Sequence, residues 1–119
     1  MPAFGYPKKQ RINSRNDIVS LIDKGGVVFR HPFKVYFRTN ECGYPRFAIS
    51  VPKKNFKRAV ARNLLKRRTK EAIRLNIGTF QGCSKFDFLF VYVAKDIVDY
   101  SRISEKVTEL FSEVSPKND

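Results

Sequence analysis

Apolar residues fall along this chain with two periods, and the switches between them mark its elements. Ile18, Leu21 and Ile22, three and four apart, predict a short helix. Ser14-Arg15-Asn16-Asp17 opens it in a capping-box arrangement and Gly25-Gly26 ends it. Val27 to Arg30 reads as a short strand that Pro32 interrupts. From Phe33 to Arg38 the alternation puts Phe33, Val35 and Phe37 on one face and Lys34, Tyr36 and Arg38 on the other. Beyond the turn-rich stretch from Asn40 to Pro45, Phe47, Ile49 and Val51 alternate with Arg46, Ala48 and Ser50, and the two strands are expected to pair as a hairpin. A long helix starts near Lys57, with Ala61, Leu65, Ala72 and Leu75 as its apolar stripe. The segment from Phe86 to Val93, FDFLFVYV, is apolar on both faces and predicts a buried, central strand. Asp99 or Ser101 then caps a last helix whose stripe is Ile103, Val107, Leu110, Phe111 and Val114.

The resulting order, αβββαβα, belongs to the α+β class, a two-layer α/β sandwich on a mixed sheet with an antiparallel hairpin and one βαβ crossover. A length of 119 residues with 42% hydrophobic side chains suffices for one modest core. Residues 1–119 are therefore expected to form a single domain, with 1–13 as a basic N-terminal arm and 115–119 as a frayed tail.

Charge adds what periodicity cannot. The formal net charge is +13, and the stretch from Lys53 to Arg74 holds ten bases against one acid, Glu71. Residues 75–119 carry five bases and seven acids, so one side of the fold should be basic and another near neutral. Along the long helix Arg58, Arg62, Lys66, Lys70 and Arg74 step by four. A row of one sign repels itself unless a polyanion neutralises it, whereas a merely soluble helix would mix acids with bases. No apolar run reaches the length of a membrane span and the N-terminus lacks the apolar stretch of a signal peptide, so a cytoplasmic protein without a membrane partner is expected. Cys42 and Cys83 lie apart with no CxxC or Cys/His cluster, which reads as two reduced thiols.

Catalytic chemistry is not legible in this chain. His31 is the single histidine, and the acids show no paired-carboxylate or metal-ligand spacing, so no catalytic residue, no bound cofactor and no metal site is expected. Binding is legible. The outward set Lys34, Tyr36, Arg38, Arg46, Ala48 and Ser50 combines cations, an aromatic ring and small residues, which suits single-stranded nucleic acid. Read this way the chain is a structural RNA-binding protein of ribosomal or similar type, a nucleoid DNA binder, or a processing factor.

One motif is more specific. Ala59-Val60-Ala61-Arg62-Asn63-Leu64-Leu65-Lys66-Arg67 followed by Glu71, with Ser50-Val51-Pro52-Lys53-Lys54 upstream, resembles the signature of the protein subunit of bacterial ribonuclease P. The chain departs from it at Leu64, where the family usually has an arginine. The resemblance implies a left-handed crossover and a protein that assists removal of the 5′ leader from precursor tRNA, while a partner RNA with magnesium carries the chemistry. It implies that the catalytic RNA is held by Lys53, Lys54, Lys57, Arg58, Arg62, Asn63, Lys66, Arg67, Lys70 and Arg74. It implies that the leader is contacted by Arg11, Ile18, Ile22, Lys34, Tyr36, Arg38, Arg46, Ala48 and Ser50, the two isoleucines standing where the family often has aromatics. The expected partners are ribonuclease P RNA and precursor tRNA, with no obligatory protein partner.

Overall fold

The structure, a computed structural model, describes Ile12 and residues 15–40, 45–76 and 86–114. The arm through Arg11, the Ser14 cap, Cys42, Cys83 and the tail from residue 115 lie outside the described residues. The elements are α1 (Arg15–Lys24), β1 (Gly26–Arg30), β2 (Phe33–Thr39), β3 (Arg46–Ser50), α2 (Ala59–Asn76), β4 (Phe86–Tyr92) and α3 (Tyr100–Val114), in the expected αβββαβα order.

The sheet runs β1-β2-β4-β3. The antiparallel hairpin is β1–β2, with Val28 opposite Val35, and not β2–β3 as the alternation and the turn between them had suggested. β4 separates those two strands, antiparallel to β2 and parallel to β3, and α2 supplies the β3-to-β4 crossover. The cause is β4 itself. A strand with two apolar faces gains most from a neighbour on each side and cover on both faces, and sequence adjacency does not outweigh that.

α2 and α3 cover one face of the sheet. Phe33, Val35, Phe47, Phe88, Phe90 and Tyr92 meet Leu65, Ala72 and Ile73 of α2 and Ile103, Val107, Leu110, Phe111 and Val114 of α3 in one cluster. All five α3 positions expected in the stripe are buried, and Asp99 Oδ1 accepts from the Arg102 amide at 3.1 Å as the cap. The α2 stripe is phased differently from the expectation, because Leu75 is 54% exposed while Thr69 and Ile73 are fully buried. At about 100° per residue, Thr69, Ala72 and Ile73 share the arc that begins at Leu65, and Leu75 falls outside it. The Thr69 hydroxyl donates to the Leu65 carbonyl at 2.8 Å, which satisfies it inside the core. Tyr92 joins the next turn by donating to the Asp96 carbonyl at 2.8 Å and accepting from the Val98 amide at 2.9 Å, and burial pushes its phenol pKa up.

The opposite face is only partly covered. α1 lies over it, with Leu21 buried against Leu89 and Ile12. Ile18 packs at the margin, but Ile22 is 48% exposed and does not join the core as its spacing had suggested. The helix end approaches β2 so closely that a Cβ on Gly25 would stand 2.5 Å from the Leu21 carbonyl oxygen and 2.7 Å from that of Phe37. Glycine is what lets α1 turn directly into β1 there.

Candidate nucleic-acid interface

α2 presents its cations from the start of the helix. Lys53, Lys54, Lys57 and Arg58 are exposed ahead of the first turn, and Asn63, Lys66 and Arg67 are exposed along it. No acid sits in that first turn. Unpaired amides, the positive end of the helix dipole and lysine and arginine side chains therefore add with the same sign, which is the arrangement that attracts phosphate.

Three arginines of this region are engaged within the protein. Arg62 Nη1 donates to the carbonyls of Phe56 at 2.7 Å and Lys57 at 2.9 Å, which fastens the entry turn to the helix. Arg74 donates through Nε and Nη2 to the Glu71 carboxylate at 3.1 and 2.6 Å, and that hydrogen bonding holds the Glu71 carboxyl below its ordinary range. Arg68, which the expected RNA-holding set omits, donates to the Val98 carbonyl at 2.9 Å. Lys70 is half-buried. Thus the exposed charge concentrates between Lys53 and Arg67, towards the N-terminal end of the ten-residue set.

The second surface is the sheet face on the α1 side, built as rows across strands. Arg38, Asp87 and Arg46 form one row, Tyr36, Leu89 and Ala48 the next, and Lys34, Val91 and Ser50 the third. On the edge, Val27 extends the Tyr36 row and Phe29 the Lys34 row. The expected face is real, but the neighbours differ from expectation. Ala48 and Ser50 stand two strands from β2, about 10 Å away, and Tyr36 is flanked by Leu89 and Val27. Tyr36 is half-buried against the Leu21–Leu89 cluster, and the Lys34 ammonium lies 5.3 Å from the centre of its ring.

α1 makes the wall of this face. Asp17 and Ser20 line a depression with Arg38, Thr39 and Asn40 on one flank of the helix. At helical spacing Ile18 and Ile22 occupy the opposite flank, and Ile18, like Tyr36 and Val91, packs against the Leu21–Leu89 cluster. Arg46 does not project freely towards a strand of RNA. Its guanidinium grips Asp87 at 2.9 and 2.6 Å and comes within 3.6 Å of Asp17 on α1, while Asn40 Nδ2 donates to Asp87 at 2.6 Å. Arg46 thus holds helix to sheet at the covered end of the face. Asp87 and Asn40 in this network, and Val27 and Phe29 on the edge, were missed from sequence. A lone acid in the apolar FDFLFVYV run was the available signal for the first.

A groove floored by Tyr36, Lys34 and small residues, beside a helix that leads with uncompensated cations, defines an α+β nucleic-acid-binding protein with two neighbouring basic surfaces. The chain belongs to the ribonuclease P protein family, whose sequence model matches residues 6–115. The ribonuclease P protein component of Petrotoga mobilis is 31% identical over 110 residues, covering 88% of this chain and 91% of that one. That of Porphyromonas gingivalis is 37% identical over 78 residues, a match spanning 63% of this chain and only 57% of the relative's length. The solved ribonuclease P protein of Thermotoga maritima superposes with a TM-score of 0.78 at 29% identity, over 89% of this chain and 98% of the other.

Proposed function

We propose that this chain serves as the protein component of ribonuclease P, holding the catalytic RNA on α2 and the 5′ leader of precursor tRNA in the groove beneath α1. The observation that carries the reading is continuity of the two surfaces. β3 ends at Ser50 on the groove floor, and the chain passes through Val51 and Pro52 into Lys53, Lys54 and the cationic start of α2. An RNA held on α2 has a single strand leaving it within reach of the groove. Lys53, Lys54, Lys57, Arg58, Lys66 and Arg67 supply phosphate contacts, Asn63 hydrogen bonds, and Arg62 keeps the entry turn in place.

The protein raises affinity for leader-bearing substrate and screens the RNA's own charge, and the RNA subunit carries the hydrolysis with magnesium. In this reading magnesium is held by the RNA subunit, whose phosphate oxygens are the hard ligands it prefers. No helix among the described residues is long and apolar enough to cross a membrane. Reconstitution tests the assignment. Cognate ribonuclease P RNA at low magnesium should cleave precursor tRNA faster when this protein is added, and no gain would overturn it.

A further inference from the structure

On the groove face two exposed apolar side chains have no use in the core. Val27, 50% exposed, and Phe29, 55% exposed, stand side by side on the outer strand β1. Val27 is directly opposite Tyr36, and Phe29 is directly opposite Lys34. Phe29 and Tyr36 are therefore diagonal neighbours, a relation that sets Cα atoms about 7–8 Å apart and within reach of two large rings. The Lys34 ammonium lies over the Tyr36 ring, 5.3 Å from its centre. Among the described residues the facing flank of α1 offers Ile18 and Ile22, which can pack but have no π face on which a base can stack. Among the described residues the aromatic surface of this face thus lies at the β1–β2 edge.

We propose that Phe29 is a second stacking position for the single-stranded leader, reached by nucleotides farther from the cleavage point than those at Tyr36, so that β1 is part of the substrate interface. This inference rests on the leader-binding reading above. The path follows from the rows. Ser50, at the end nearest α2, begins a row that continues through Val91 and Lys34 to Phe29, and three strand spacings make it about 14 Å long. Lys34 within that row favours a polyanion as the occupant. A second copy of a chain with net charge +13 would bring like charges together at this face.

The test uses holoenzyme made with cognate RNA, and precursors whose leaders are lengthened one nucleotide at a time, with leaderless tRNA as reference. Phe29→Ala should leave leaderless and shortest-leader binding unchanged and lose about tenfold in affinity for longer leaders, the worth of one stacked base. Phe29→Tyr should retain the gain and Phe29→Leu should not, which separates stacking from apolar contact. An unaltered length dependence in Phe29→Ala, with leader discrimination lost in Tyr36→Ala, would overturn this inference and leave the leader reading standing. No leader effect in either variant would sink both. A loss shared equally by leaderless tRNA, or a dimer in sedimentation that Phe29→Ala dissociates without changing leader dependence, would assign the edge to another role and overturn the proposal.

Discussion

α2 and the α1-side face of the sheet both offer cations to RNA, but they separate folding from binding to different degrees. On α2 the two tasks occupy different arcs of one helix, with Leu65 and Ile73 fully buried on one side and Lys66 and Arg67 exposed on the other. On the sheet face they share residues. Arg46 both belongs to the polar face and ties β3 to Asp87 of β4 and Asp17 of α1. Tyr36 both lines the groove and packs on the cluster around Leu21 and Leu89. A helix divides its circumference by angle, so one element can be edited on one side with little effect on the other. A groove assembled from α1 and four strands has no such division, and its walls are held by the side chains that border it.

The largest effect should come from the inner arc of α2. Leu65→Ala removes a fully buried side chain and is expected to destabilise by about 2–5 kcal/mol in denaturant unfolding. Its RNA affinity, measured under conditions where the variant is folded, should match wild type, and a large affinity loss there would show that the two arcs are coupled.

Arg46→Ala should come next and should fail on both counts. Among the described residues it leaves the buried Asp87 carboxylate with Asn40 as its remaining side-chain donor, which costs about 1.5–3 kcal/mol for hydrogen bonds to a charged group. It also frees α1 from β3, so the preference of the holoenzyme for leader-bearing over leaderless tRNA should fall. Full stability together with a reduced leader preference would mean that Arg46 touches the RNA directly. Reduced stability with an intact preference would mean that the groove does not depend on this clamp.

The smallest change in stability belongs to the outer arc. Lys66→Ala should shift the melting midpoint hardly at all, since an isolated exposed cation contributes little to folding. The slope of log affinity against log salt for the catalytic RNA should nevertheless fall by about 0.7–0.9, the signature of one lost phosphate contact. The same slope in variant and wild type would remove Lys66 from the interface.

Much of this protein is determined locally and could be read from the chain. The α3 stripe, the inward triplets of β2 and β3, and the two-faced apolar character of β4 all follow from periods of 3.6 and 2, because side-chain direction repeats with the backbone. The cationic character of α2 was likewise legible, because charge density needs no tertiary context. Partner choice among strands was not. Alternation states which face a residue occupies, but the gain from placing β4 between β2 and β3 is a property of the whole sheet, and it moved Ala48 and Ser50 away from Tyr36. Leu75 and Ile22 illustrate a second limit, since an apolar side chain at helical spacing is buried only if another element covers that angle. Arg46, Arg62 and Arg74 illustrate a third. Sequence counts their charges, but only the folded chain places Asp87, the Phe56 carbonyl and Glu71 where those guanidinium groups can use them. The register that sets Phe29 beside Lys34 and Tyr36 was decided in the same way, by backbone pairing between strands whose sequences carry no mark of each other.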